Sequence, residues 1–340
     1  MSERKLARVE QILAIEPIEG ADAIERAQIG GWWCVVAKKD EFKAGDLVAY
    51  FEIDAILPAD NPLFAFMEPR HYRVRTIRLR GQVSQGLVMP LKAFDEKRKF
   101  ELGDDLTEAI GVTKFEPYIP ACLSGVVKGN FPGFLRKTDE ERVQNICETL
   151  ERYAGTECYV TEKVDGTSAT FALFEGEFCV CSRNLELKES EGNLYWQMAR
   201  KLDIEAKLKR FYDEFGRQLC IQGEIIGQGV QSNKYKLDTN RLLVFSIFDI
   251  DKQEYLDCNE FFYVCGFLGL ETVPVVEGDT FKLNHTAEEL VAMADGQSLV
   301  NPAVMREGLV FRATVNKPVR GLSRFSFKAV SNKFLLKFEE

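Results

Sequence analysis

From residue 5 to residue 90 the chain is cut into short apolar runs, each closed by a turn signal, a spacing that points to strands. KLARVEQILAIEPIEG is an apolar run ended by a Pro/Gly turn, WWCVVAKK is a short strand, and KAGD turns the chain before LVAYFEI. LPADNPLFAF places two prolines in a loop. In VRTIRL the apolar Val74, Ile77 and Leu79 alternate imperfectly with Arg75, Arg78 and Arg80, and GQVSQGLVMPL adds a strand ending at Pro90. Many short strands within about 100 residues are the pattern of a small barrel, so an all-β, OB-like domain is expected over residues 1–100.

A chain of 340 residues is longer than one core usually supports, so a two-domain protein is expected. Residues 101–135 are mixed, with two prolines in FEPYIP and glycines at 125, 129 and 133, and read as the junction. In KTDEERVQNICETLERY, Thr138 is a candidate cap with Glu141 three residues later, and Val143, Ile146 and Leu150 share a helical face. A second long helix is expected over 192–215. Strand-like runs fill the rest: ECYVTEKV, SATFALFEG, FCVCSR, QLCIQGEII, RLLVFSIFDI, GLVFRA and SFKAV. Residues 136–340 therefore read as an α+β domain.

The 46% hydrophobic and 29% charged content is that of a folded globular protein. No apolar run approaches the roughly 18 residues of a membrane span, and the start lacks an apolar signal-type stretch, so no membrane partner is expected. Nine cysteines form no CxxC, and with only His71 and His285 no usual zinc set appears; the expectation is thiols in an intracellular, reducing compartment. A net charge of −9 argues against a protein that coats nucleic acid, but leaves room for an enzyme with a local basic surface. Two such enrichments exist: RHYRVRTIRLR at 70–80, with five arginines, and Lys317, Arg320, Arg324, Lys328, Lys333 and Lys337 near the end. The first reads either as a surface for a nucleic-acid backbone, through Arg73, Arg75, Arg78 and Arg80, or as a solvated face paired with local acids. The Trp32–Trp33 pair reads either as a stacking surface or as core.

Lys163 in TEKVDGTSATF lies near the end of an apolar strand beside Asp165 and Gly166. A lysine there is a nucleophile once its amine loses a proton, and otherwise a surface lysine in a turn. Downstream, Glu224 follows Gly223, Asp249 ends LLVFSIFDI, Glu307 precedes Gly308, and Lys328 sits in FSFKAV. Each acid borders a strand, where it is either part of an active-site floor or a solvated strand-end residue, and Asp249 reads alternatively as a turn acid before DKQEY. Together the set suits a nucleotide: cations for phosphates, acids for metal or ribose hydroxyls, an aromatic for the base.

With these residues in view, the sequence resembles the covalent nucleotidyltransferases, the superfamily of ATP-dependent DNA and RNA ligases and mRNA capping enzymes. KVDG resembles the nucleophile motif, SRN at 182–184 the next, QGE at 222–224 and FDI at 248–250 the third pair, EGLVFR at 307–312 the fourth and FSFKAV the fifth. The resemblance is nearest to stand-alone RNA ligases with an OB domain ahead of the catalytic one. IEPIEGAD, SQGLVMPL, KFEPYIP, KTDEERVQNI, GEIIGQGVQSNKY and SNKFLLK carry it beyond the core motifs. Typical DNA ligases and capping enzymes place an OB domain after the catalytic one, whereas Lys328 is twelve residues from the end of this sequence. The last motif commonly has two lysines one residue apart; here Ala329 and Val330 follow Lys328, and the next lysine is Lys333.

The resemblance implies an ATP-dependent RNA ligase that carries AMP on Lys163, passes it to a 5′-phosphate end and seals that end with a 3′-hydroxyl. It implies phosphate contacts from Arg142 and Lys328, adenine stacking on Phe248, and Glu224 on a ribose hydroxyl or in the metal shell. Asp165, Glu224, Asp249 and Glu307 are the candidate ligands for Mg2+ or Mn2+, with Asp165, Asp249 and Glu307 also in the catalytic set, and Arg183 holds the 5′-phosphate. RNA, or a nicked duplex with 5′-phosphate and 3′-hydroxyl ends, is the expected partner, and a monomer the expected state. A DNA ligase acting on nicks shares the same steps and stays open; a capping guanylyltransferase is disfavoured by the placement of the last motif, and a non-catalytic OB-type binding module would leave Lys163, Glu224, Glu307 and Lys328 without a purpose.

Overall fold

In a computed structural model, the residues described are 5–94, 99–115, 126–317, 319, 322 and 324–338. Most of FEPYIP, Cys122 and Arg320 lie outside them. The chain forms two compact units. One comprises Met1–Tyr118, Gln144–Cys147 and Asn332–Glu340; the other comprises Ile119–Val143 and Glu148–Ser331. The division is thus not sequential, as cuts at 100 and 136 would have made it.

The first unit is built on a five-stranded antiparallel sheet in the order Trp32–Ala37, Ile24–Ile29, Ala7–Pro17, Leu47–Phe51, Leu87–Pro90. The long first strand pairs through Ala7–Gln11 with Leu47–Phe51 and, past an irregularity at Ile12/Ala14, with Ile24–Ile29. One strand serving two neighbours is how a short sheet curls toward a barrel. Alternation along Leu47–Phe51 explains why the sheet needs covering on both sides. Val48 and Tyr50 join Ile12, Ile29, Trp32 and Val36 in one core, while Ala49 and Phe51 join Phe64, Met67, Val74 and Leu106 in another. Trp32 is core, 1% exposed, its indole donating to Asn145 Oδ1 at 2.7 Å. Asn145 also donates to the buried Glu52, at 3.0 Å, and the Gly31 N–H donates to the Gln144 carbonyl at 3.1 Å, so residues 144–147 belong to this unit through both side-chain and backbone hydrogen bonds.

The second unit pairs a seven-stranded and a five-stranded sheet. The first runs Val127–Asn130, Leu185–Leu187, Glu177–Cys181, Thr167–Phe174, Leu219–Ile226, Arg241–Asp249, Glu254–Tyr255. The second runs Glu141–Arg142, Ser326–Val330, Gly308–Ala313, Thr156–Lys163, Val275–Leu283. Ala169, Phe171, Ile221, Ile225, Val244 and Ile247 form one face of the larger sheet and pack under helices Leu194–Lys201, Ile204–Phe215 and Cys258–Leu268. The alternating positions are left to face the smaller sheet.

Two helical expectations change. The 192–215 helix is broken at Asp203, whose φ of 52° cannot continue a right-handed helix. The segment from Lys137 to Tyr153 is helical only over Cys147–Arg152, after a single 3-10 turn at Val143–Asn145. Thr138 caps nothing; its hydroxyl lies 2.8 Å from that of Ser168, and Glu141–Arg142 pairs in parallel with Phe327–Lys328. Sheet pairing and side-chain anchors there outweigh a helical periodicity that was only local.

Candidate active site

Lys163 ends its strand where the chain leaves the smaller sheet, and Thr167 begins the strand that enters the larger one. The crossing is tight at Gly166, where a Cβ would sit 2.4 Å from the carbonyl oxygen of Ile225 and 2.9 Å from Cγ of Glu224. Val164 turns into an apolar cluster with Ile226, Tyr235, Leu243 and Val273.

Residues paired across a sheet share a face. On the smaller sheet this puts Lys163 in a row with Gly308 and Val330, and the next row holds Thr161, Val310, Lys328 and Arg142. Three cations from three strands therefore share one face. On the larger sheet the matching row is Ser168, Glu224 and Leu243. Residues 136–142 run alongside as a polar strap: Gln222 donates to the Arg136 carbonyl at 2.6 Å, Thr138 meets Ser168, and Asp139 pairs with Arg183.

Lys163 Nζ donates to Glu307 Oε1 at 2.6 Å. Burial alone would disfavour its ammonium, but Glu307, Glu224 and Asp165 together outweigh that and raise its pKa. The nucleotide-free lysine is thus held protonated. Asp165 accepts from Lys234 Nζ at 2.6 Å, and its backbone N–H donates to the Tyr235 hydroxyl at 2.8 Å. Its carboxyl is pushed up by burial and by Glu307, against the pull of Lys234 and Lys163. Glu224 is driven furthest, to about 8, by burial first, with Glu307 and Asp165 adding to it and Lys163 and Arg183 opposing. Arg183 stands in the turn closed by Ser182 N–H on Leu185 C=O, with its side chain half-exposed and Asp139 as partner.

These carboxylates fit a cation. Among the described residues no three His, Cys, Asp or Glu side chains converge as a ready-made metal site. However, Glu307 Oε2 is buried without a hydrogen-bond partner, and Glu224 is forced toward neutrality by burial and, after it, by the acids around it. Asp165, Glu224 and Glu307 are the residues that would hold a cation here, with phosphate oxygens needed to complete its shell.

Two expected members are elsewhere. Asp249 pairs with Leu219 in register, whereas Glu224 pairs with Leu243, five residues along the strand or roughly 17 Å away. It is 1% exposed, bound to Arg217 at 2.6 Å, and accepts from the Lys252 N–H at 3.0 Å. Asp249 is a structural ion pair at a turn, not a metal ligand of this site. Phe248 is also 1% exposed, packed with Ala172, Cys181 and Cys220 and 5.2 Å from the Tyr255 ring, with no face open to a base. On the same strand, Phe245 is an aromatic left partly open. Register slips between Gln222 and Gly223, so that Ser246 and Val244 are paired and Phe245 bulges out. It packs beside Val164 with the Arg312 guanidinium 6.0 Å from its ring. Phe248 was the expectation from the resemblance of FDI at 248–250, and a bulge leaves no trace in alternation that would have pointed to Phe245 instead. Lys234 and Tyr235 were missed as well, although GEIIGQGVQSNKY had singled out their segment.

In the first unit, Arg73 is held by Asp54 at 2.7 Å with its guanidinium 3.6 Å from the Phe115 ring, a structural role rather than a free phosphate contact. Arg75 is half-buried, while Arg78 and Arg80 are exposed at the Thr76–Leu79/Gln82–Gln85 hairpin. The second basic enrichment is not one surface either. Arg324 is buried, and Lys333 and Lys337 lie exposed on helix Asn332–Phe338 of the first unit.

Family comparison decides what such a site belongs to. An OB-fold domain model matches residues 6–91, and an RNA ligase model matches residues 156–330. A Naegleria gruberi RNA ligase lysine-to-alanine mutant with ATP and Mn is 41% identical, with 98% of this chain and 99% of that one covered and a TM-score of 0.90. The chain belongs to the RNA ligase family. Naegleria gruberi RNA ligase with PPi gives 42% identity, 99% of each chain and a TM-score of 0.89. A glutamate-to-alanine mutant of that ligase with AMP and Mn gives 41%, 99% of each chain and 0.90. Comparison with curated protein sequences found no match.

Proposed function

We infer that this RNA ligase is ATP-dependent and that Lys163 is its nucleophile. The observation that carries the assignment is the placing of Lys163 Nζ 2.6 Å from Glu307, on a face shared with Arg142 and Lys328 and opposite Glu224. In the first step the Lys163 proton passes to an acceptor, for which Glu307 is within reach. The amine then attacks the α-phosphorus of ATP, an N–P bond forms, and the P–O bond to pyrophosphate breaks. Arg142 and Lys328 neutralise the phosphates, and Phe245 offers the base an aromatic face. Mg2+ or Mn2+ held by Asp165, Glu224 and Glu307 would neutralise phosphate charge and disfavour the Lys163 ammonium. Lys234 keeps Asp165 paired and oriented.

AMP then passes from Lys163 to a 5′-phosphate, making a 5′–5′ pyrophosphate linkage, and a 3′-hydroxyl displaces AMP to form the phosphodiester. Arg183, in a turn beside the strap, is suited to hold the 5′-phosphate. Arg78 and Arg80 supply a separate backbone-binding surface, which supports a nicked duplex as substrate. A monomer is supported because the proposed adenylation groups all come from one unit of one chain. A reducing intracellular compartment is supported by eight free cysteines among the described residues. The test is sealing of breaks with RNA or DNA placed separately on each side. Joining that needs RNA beside the break and ATP supports the reading; equal joining of all-DNA nicks replaces it with a DNA ligase.

A further inference from the structure

Behind the row that carries Lys328 and Arg142 lies a third, made of Tyr159, Arg312 and Ser326, whose groups the ligation steps leave unused. Arg312 donates to Thr161 Oγ1 at 3.2 Å and to Glu140 Oε1 at 3.2 Å. Arg324 donates to the same Glu140 oxygen at 3.2 Å and to Ser246 Oγ at 2.5 Å, and its Cζ lies 3.9 Å from the centre of the Tyr255 ring. The side chains of Arg312 and Arg324 are 3% and 10% exposed, that of Glu140 18%.

One carboxylate thus gathers every strand that builds the phosphate face. Thr161 lies on the Lys163 strand, Arg312 on the strand that follows Glu307, and Arg324 leads into the strand of Lys328. Ser246 lies on the facing sheet, and Glu140 itself stands two residues before Arg142. A buried carboxylate with two arginines is a poor way to gain stability, because apolar groups of similar volume often do as well or better. What apolar groups would not supply is a fixed register for Arg142 against Lys328. Those two cations are paired across the parallel strands, so the strand register sets their spacing.

We propose that Glu140, acting through Arg312 and Arg324, is a positioning residue for adenylation that holds Arg142 and Lys328 side by side for the ATP triphosphate. The proposal rests on the ligase reading of Lys163, and the experiment separates the two. Full-length Glu140→Gln and Arg312→Lys are each compared with the unaltered protein in two assays. The first is protein–AMP formation against ATP concentration; the second is joining of an RNA that already carries a 5′-adenylate and needs no triphosphate. The ATP concentration for half-maximal adduct rises by about tenfold or more, the maximal rate falls less, and the pre-adenylated RNA is joined within about threefold of the unaltered rate. Unchanged ATP dependence in folded variants overturns the proposal. So does an equal loss in both assays with a lowered melting temperature, or the failure of both variants to fold, since either makes the group a scaffold only. Absence of adduct from the unaltered protein sinks the ligase reading itself.

Discussion

Gly166→Ala adds one methyl group at the crossing between the two sheets. The new Cβ would lie 2.4 Å from Ile225 O, 2.8 Å from Ile226 Cγ2 and 2.9 Å from Glu224 Cγ. Reaching an ordinary separation near 3.4 Å opens the Ile225 gap by about 1 Å, and the obstacle is backbone of a central strand rather than a flexible side-chain tip. Overpacking of this kind costs about 1–3 kcal/mol of stability. The larger effect falls on the chemistry. Gly166 separates Asp165 from the strand whose neighbour carries Glu224, so a shift of that size changes the spacing of Lys163, Asp165 and Glu224 together. Misplacement by about 1 Å slows a positioned reaction by about 10²-fold. Single-turnover formation of protein–AMP measures this, with urea unfolding as the control for folding. A folded Gly166→Ala protein that forms adduct at the unaltered rate would refute the claim that this crossing sets the site's geometry.

Arg183→Ala is expected to form protein–AMP normally but to seal a 5′-phosphorylated RNA poorly, and a mutant without adduct would move Arg183 to the ATP step. Glu224 makes stability pH-dependent in the nucleotide-free protein. Its pKa is raised to about 8 in the folded chain from 4.5, so the folded state binds the extra proton and stability falls as pH rises between those values. Urea unfolding at pH 5.5 and 8.5 should show a decline on the order of a few kcal/mol that Glu224→Gln reduces, whereas an equal decline in both proteins rules out this source. Replacing Arg78 and Arg80 with Ala should weaken RNA binding and flatten its salt dependence, by about 0.7 in log–log slope for each single-strand phosphate no longer neutralised; an unchanged slope leaves them as ordinary surface.

Much of the site was legible because its chemistry is local in sequence. Lys163, Asp165 and Gly166 are consecutive or nearly so, Glu224 and Lys328 each stand on an apolar strand whose alternation sets their face, and Glu307 directly precedes such a strand. What was not legible depends on register between distant strands. Asp249 sits at a strand end like Glu224, but the pairing of Leu219 with Asp249 and of Glu224 with Leu243 puts them at opposite ends. The bulge at Phe245 and the strap at Glu140 are likewise products of pairing, and the strap overrode a helical pattern in its own residues. The short-strand pattern foretold the OB-like domain. It did not foretell that residues 144–147 would join that unit, because the ties are long-range: Asn145 with Trp32 and Glu52, and the Gly31 N–H on the Gln144 carbonyl.

The central claim is that AMP is carried on one lysine, and the direct measurement is to map that bond. The full-length protein is incubated with ATP and Mg2+ or Mn2+, digested, and its peptides weighed. AMP should be found on the peptide containing Lys163, and Lys163→Ala should carry none while still joining RNA that already bears a 5′-adenylate. Adduct on a different lysine of the folded mutant, or label retained from GTP in preference to ATP, would contradict the account.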